Sequence, residues 1–138
     1  MKVEIWSDIV CPFCYIEKRK FENTLNDSDQ KEKVEIVWRS FQLDAELVQV
    51  AGQWVHKYLT KRKGLTVDKG KGMNDYITVA ASEVGLEYDF DKEIINNTLK
   101  AHRLSHLAAK HGLQNKVKEA LFAFYYIGGK TSLIWKHW

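Results

Sequence analysis

Apolar and polar positions alternate at the start of the chain and then change to a helical spacing. From Lys2 to Trp6, Val3 and Ile5 alternate with Glu4 and Trp6, which predicts a short strand. Ser7 to Val10 reads as a loop. From Pro12 to about Leu25 the residues are strong helix formers, with Cys14, Phe21 and Leu25 on one face. Pro12 suits the first turn, where the amide it lacks would have no partner. The run Asn26-Asp27-Ser28-Asp29 reads as a loop, and Val34 to Arg39 as a second strand with Val34, Ile36 and Trp38 on one side. Strand, helix and strand form a βαβ unit, so the two strands are expected to be parallel with a right-handed crossover.

After Asp44 the spacing becomes helical. Residues 45–63 and 67–84 carry helix-like patterns, the second stopped by Gly85. Residues 86–97 are irregular. Thr98 to His111 predicts a helix capped by Asn97 or Thr98 and ended by Gly112. In Leu113 to Ile127, the positions Leu113, Val117, Leu121 and Phe124 form an apolar stripe expected to face a core. No internal repeat, low-complexity segment or later strand is visible. A two-stranded sheet alone is a poor core for a domain of this size.

Composition narrows the class. The 138 residues are 45% hydrophobic and 28% charged, the balance of one globular domain. The longest apolar run, Ala120 to Ile127, is far short of a membrane span. Twenty-one Lys and Arg against 18 Asp and Glu leave a net charge of +3, too small and scattered to nominate a nucleic-acid binder. Glu4 and Asp8 stand where a signal peptide needs its apolar stretch, so a cytoplasmic location is expected.

Two counts stand out. The chain has one proline and two cysteines, and Pro12 lies between Cys11 and Cys14 in C-P-F-C. Two residues between cysteines cannot staple distant segments, which excludes a scaffold of structural disulfides. A C-x-x-C that follows a strand and opens a helix is the thioredoxin-type redox arrangement. Free amides and the macrodipole place roughly half a positive charge at the helix start. That charge stabilises a Cys11 thiolate and is expected to lower its pKa into the ~3.5–7.5 range. Cys11 is expected to be the more exposed and more acidic thiol. Cys14, one turn in, is placed to attack a mixed disulfide and release product, and Phe13 gives the entry an apolar face. Two other readings stay open: a zinc site completed by His102 and His106 at i, i+4, and two unreactive cysteines on a helix.

W-S-D-I-V-C-P-F-C-Y-I, the stretch N-T-L-K-A-H-R-L at 97–104, and A-L-F-A-F-Y-Y at 120–126 resemble the cytosolic FrnE-type branch of the DsbA-like thioredoxin superfamily. The resemblance runs from Met1 to about Lys130. It implies an α/β thioredoxin-like fold of the DsbA type: a βαβ start over residues 1–43, a large helical insertion over 44–127, and an aberrant tail over 128–138. It also implies thiol–disulfide oxidoreductase activity, with the family's redox cysteines carried by Cys11 and Cys14 and supported by Pro12 and Phe13. No metal or resident cofactor is implied. The Cys11–Cys14 disulfide is the redox group, and glutathione is a candidate reductant. Implied partners are protein or small-molecule thiols and disulfides, without nucleic acid or membrane. In related branches, the kappa-class glutathione transferases and the 2-hydroxychromene-2-carboxylate isomerases, serine usually stands at the Cys11 position and glutathione is the cosubstrate or cofactor. These form the alternative class. His102 and Arg103 belong to the A-H-R-L motif. They either line the cleft over Cys11 or pack their helix on the thioredoxin half, and packing is the plainer reading.

The chain departs from the family pattern in three places. Glu17 stands where the family usually has glycine, and an acid there is expected to oppose a nearby thiolate. The family's later strands, its terminal helix and a cis-proline loop facing the cysteines have no counterpart in a chain whose one proline is Pro12. An impaired, self-associating fragment is therefore a second expectation, with the open edge of Lys2 to Trp6 as the pairing surface. Finally, G-K-T-S-L-I-W-K-H-W differs from a family-like G-K-N-I-T-N-M-E-T-L. Deleting one adenine from a codon string for the latter reads out Gly129 to Trp138. Thr131 to Trp138 are therefore expected to be frameshifted, with Leu133, Ile134, Trp135 and Trp138 exposing apolar surface.

Overall fold

The computed structural model describes residues 1–48, 55–91 and 95–128, with backbone alone at residues 55–57 and 59. Strand β1, Lys2–Ser7, runs parallel to β2, Glu35–Ser40, with Val3 opposite Ile36 and Ile5 opposite Trp38. Between them lie helix α1, Pro12–Asn26, and a 3-10 turn at Lys31–Lys33. The remainder is helical: α2, Val55–Lys63; α3, Val67–Ser82; α4, Leu99–Ala109; and α5, Gln114–Ala123, which runs on into a π-helical turn over Phe124–Gly128. Among the described residues, no helix is long and apolar enough to cross a membrane.

The sheet is narrow, and its β2 edge is covered by a side chain. Gln114, at the start of α5, accepts the Trp38 N–H through Oε1 at 3.2 Å and donates through Nε2 to the Trp38 carbonyl at 3.1 Å. One amide thus satisfies both backbone groups that a third strand would take. The buried Trp38 indole donates to Asn115 Oδ1 at 3.0 Å. Helix α5 is thereby fixed on the β2 side. On the exposed face Arg39 Nε donates to Glu4 Oε1 at 2.8 Å. Among the described residues β1 pairs with β2 alone, so its outer edge has no strand partner.

The core lies between α1 and the helical part rather than on the sheet. Tyr15 and Ile16 of α1 meet Ile77 and Ala81 of α3, Tyr88 and Phe90 of the following segment, and Phe122, Tyr125 and Tyr126 beyond and within α5. Tyr15 stacks on Phe122 with centroids 5.0 Å apart, and Tyr88 stacks on Tyr126 at 4.7 Å. Such pairs contribute about 0.5–1.5 kcal/mol each beyond the area they bury.

Several local expectations need correction. Residues 45–48 are a turn and an extended stretch rather than the start of a helix over 45–63, and residues 49–54 lie outside the described part. The physical reason is Asn97. Its Nδ2 donates to the carbonyls of Ala45 and Leu47 at 3.1 and 3.0 Å, which removes them as helical acceptors. Helix α3 ends at Ser82, before Gly85, where a φ of +77° lets Leu86 N–H return to the Ala81 carbonyl. Gly112 ends α4 in the same way, with Leu113 N–H on the Ala108 carbonyl. The stripe Leu113, Val117, Leu121 and Phe124 faces the core in part, through the buried Leu121 and the half-buried Val117 packed beside it. Leu113 is 44% exposed, whereas Lys118, Leu121 and Phe122 are buried. On α1 the buried residues are Tyr15, Ile16 and Lys18, while Cys14, Phe21 and Leu25 are only half-buried. The tail from Gly129 to Trp138 lies outside the described residues.

Candidate active site

Cys11 is the N-cap of α1, with extended backbone at φ −94° and ψ 107°, and Pro12 takes the first helical position. The Cys11 N–H donates to the Asp8 carbonyl at 3.3 Å, and the Cys14 N–H to the Cys11 carbonyl at 3.1 Å. Two buried tyrosines from the helical part hold this corner. Tyr126 donates its hydroxyl to the Ile9 carbonyl at 3.0 Å, and Tyr88 donates to the Pro12 carbonyl at 2.7 Å. Four residues of loop and first turn are therefore anchored on both sides of Cys11.

The dithiol opens into a groove of about 370 Å³. Its walls are Val3, Ile5 and Trp6 from β1, Phe13 and Phe21 from α1, and Trp38 from β2, with Cys11 and Cys14 facing the space. Phe13 is 44% exposed and Trp6 61%. The lining is mainly apolar, a surface suited to uncharged chain segments.

Both cysteines are free thiols and both are half-buried. The expected greater exposure of Cys11 is not found. The difference between the two is electrostatic. Cys11 is lowered to about 6, first by the hydrogen bond it accepts from the Cys14 thiol, then by the Cys14 and Phe13 amides at the helix start. Burial and the Asp8 carboxylate oppose that shift without cancelling it. Cys14 is pushed up by the same thiol–thiolate hydrogen bond and by burial. The amides at the helix start therefore acidify Cys11, as a contribution second to the neighbouring thiol.

The acid that acts on Cys11 is Asp8 rather than Glu17. Asp8 is 1% exposed, accepts the Leu43 N–H at 2.8 Å, and faces His102 Nε2 at 3.1 Å. Burial raises its pKa, but hydrogen bonds from His102, Thr98 and Leu43 outweigh burial and hold it below the ordinary carboxylate value. Glu17 lines the groove yet turns its exposed carboxylate to Lys20 Nζ at 2.9 Å.

His102 and Arg103 do not line the groove. His102 is 3% exposed and packs under the Cys11 loop on Asp8, while Arg103, one position on, is exposed. The helical period explains this separation, because adjacent residues point about 100° apart. His106 is hydrogen-bonded to Ser40 Oγ at 2.7 Å. The pair His102 and His106 therefore does not converge on Cys11 and Cys14 as a ligand set, and among the described residues no three His, Cys, Asp or Glu side chains gather as a metal site.

Two residues that sequence reasoning passed over belong to the site. Asp8 carried a usable signal, an acid three residues before the cysteine in a strand-to-helix loop. Lys118 carried none. It sits between Val117 and Glu119 in a helix, yet it is 1% exposed with its ammonium over the Trp38 and Phe122 rings.

No curated protein matched the chain. Among solved structures, a probable DsbA oxidoreductase from Streptomyces coelicolor aligns with a TM-score of 0.84 and 34% sequence identity, over 91% of this chain and 54% of that one. The chain thus spans about half the length of that protein. Residues 2–132 match the DSBA-like thioredoxin domain. With its parallel βαβ start joined to a helical block, the chain belongs to the DSBA-like thioredoxin domain family.

Proposed function

We propose that the chain is a thiol–disulfide oxidoreductase of the FrnE type, working through Cys11 and Cys14 on protein or small-molecule disulfides. The Cys11 thiolate attacks a substrate disulfide, forming a mixed disulfide and expelling one substrate thiolate. Cys14 then attacks the Cys11 sulfur. The Cys11–Cys14 disulfide forms, the mixed disulfide breaks, and the second substrate thiol leaves with the Cys14 proton. Two electrons pass from the dithiol to the substrate. In the opposite direction a reductant such as glutathione restores the dithiol, so no resident cofactor is needed.

The observation that carries this reading is the asymmetry of the pair. Cys11 at the helix N-cap is acidified to about 6, while Cys14 one turn on is held protonated. A thiolate stabilised by the fold favours the dithiol form, which makes the disulfide a readier electron acceptor. Pro12 presets the first turn, and Phe13 supplies an apolar rim for the incoming chain.

Incubation of the reduced chain with an aromatic disulfide reagent tests the reading. The expected product is the chain with one intramolecular Cys11–Cys14 disulfide and two released aromatic thiols, reversed by glutathione and abolished in Cys11→Ser. A mixed disulfide that never resolves would overturn it. Glutathione-dependent transfer or isomerisation surviving in Cys11→Ser would point to the serine-bearing branches instead.

A further inference from the structure

We propose that an extended, apolar polypeptide segment carrying the substrate disulfide adds as a further strand to the outer edge of β1, with every second side chain in the groove beside Cys11. The proposal names the substrate class of the dithiol site and rests on the exchange proposed above for its catalytic meaning. Strand addition itself can be read without any exchange.

The contrast between the two sheet edges carries the argument. At the β2 edge the Gln114 amide occupies both the N–H and the carbonyl of Trp38, so a strand arriving there finds its central groups taken. At β1 the bonding to β2 begins with Glu35 N–H on the Met1 carbonyl at 2.9 Å and ends with Phe41 N–H on the Ser7 carbonyl at 3.3 Å. Successive residues of a strand turn their backbone groups to opposite edges. The odd-numbered residues of β1 therefore bond to β2, while Lys2, Glu4 and Trp6 turn their N–H and carbonyl groups outward. Among the described residues no strand takes them. Such a row is a template for an added chain.

The groove lies along the same strand. Val3, Ile5, Trp6 and Ser7 of β1 line it, against Trp38 alone from β2. Val3 and Ile5 face the groove, and Phe13 and Phe21 of α1 form the wall opposite. Lys2 and Glu4 stand on the other face, where Glu4 is paired with Arg39. A strand on this edge thus meets an apolar wall with one set of side chains and a polar, solvated face with the other. Main-chain bonds supply affinity in such strand addition, and the pocket for alternate side chains supplies selectivity. An extended chain with apolar residues at alternate positions satisfies both. A small-molecule disulfide has no run of amides to offer.

The chain direction places the reacting end. Ser7 closes β1, and the loop after it leads to Cys11 at the start of α1. The groove therefore runs from the dithiol back toward Val3. The six residues of β1 span about 20 Å at roughly 3.3 Å per residue, so the selecting positions lie within that length on one side of the substrate cysteine.

The test uses the reduced chain and a short peptide of alternating valine and threonine, capped by lysines, with serine where the substrate cysteine would stand. Hydrogen exchange at single amides is the readout. With the peptide bound, the Glu4 and Trp6 amides are expected to exchange roughly tenfold more slowly or better. Methylating one alternate set of peptide nitrogens is expected to abolish this protection, and methylating the other set to leave it, because only one set faces β1. Replacing the valines by serine is expected to weaken binding by about tenfold or more. Copies of the chain that meet through the same edge are expected to be displaced. Unchanged exchange at Glu4 and Trp6, or protection lost equally with either methylated set, overturns the proposal. Protection that grows with the concentration of the chain alone and resists the peptide assigns the edge to a second copy and overturns it too. Oxidation by the aromatic disulfide reagent is followed in parallel. A chain that forms the Cys11–Cys14 disulfide without edge protection keeps the proposed function and loses this proposal. Protection without disulfide formation keeps strand addition and removes the proposed function.

Discussion

Asp8 and His102 meet at 3.1 Å beneath the loop that delivers Cys11, both buried and 94 positions apart in the chain. This contact ties the helical part to the redox corner and sets the field at the thiolate. Asp8 is held below its ordinary pKa, so its stabilisation is present above the unfolded value of ~3.9 and is lost as pH falls through the folded one. Asp8→Asn is expected to flatten the loss of stability below about pH 4, while costing about 1–3 kcal/mol near neutral pH because His102 and the Leu43 amide lose the carboxylate that faces them. Denaturant titrations at several pH values check both. The same variant removes the charge that opposes the Cys11 thiolate, so alkylation of Cys11 is expected to become faster in mildly acidic solution.

Tyr126 and Tyr88 hold the carbonyls of Ile9 and Pro12 on either side of Cys11. Tyr126→Phe keeps the ring stack on Tyr88 but leaves the Ile9 carbonyl without its donor. The expected cost is about 1–3 kcal/mol, read by thermal or urea unfolding. Combined with Tyr88→Phe, it is also expected to broaden the Cys11 titration, since the loop would no longer hold one position. A double variant as stable as its parent would contradict this account of the corner.

Glu17 departs from the family pattern, but its carboxylate is exposed and paired with Lys20. Glu17→Gly is therefore expected to leave the Cys11 midpoint where it is, while weakening α1 by about 1 kcal/mol through glycine's helix cost. A clear downward shift in that midpoint would show that Glu17 acts on the thiolate after all.

The opening βαβ unit was legible because three local signals agree: the alternation of Val3 and Ile5, the helix-forming run behind Pro12, and the alternation ending at Trp38. The glycine stops at Gly85 and Gly112 were legible for the same reason, since a positive φ is a local demand. What the sequence concealed depends on distant partners. Residues 45–48 look helical until Asn97 claims their carbonyls. His102 was singled out through its motif, but nothing in its spacing points to Asp8. Lys118 reads as a surface lysine because a hydropathy pattern assigns charge to solvent, whereas here its ammonium lies over two aromatic rings. The dithiol was visible in full, and its supporting charges were not.

The outer edge of β1 has no strand partner among the described residues, whereas the β2 edge is occupied at Trp38 by Gln114. Trp6, 61% exposed, lies on that open strand. We propose that copies of the chain pair through this edge, as unpaired strands tend to do. Sedimentation is expected to show concentration-dependent association, reduced by Trp6→Lys. A compact monomer at every concentration would contradict the pairing.

The central claim is that the fold makes Cys11 an acidic nucleophile and keeps Cys14 in reserve. The most direct measurement is alkylation of the fully reduced chain across pH, with the modified peptide identified at each point. Modification is expected at Cys11 first, with a midpoint near 6 and no comparable early phase in Cys11→Ser. A Cys11 midpoint near the free-thiol value of ~8.5, or equal early modification of Cys14, would contradict it.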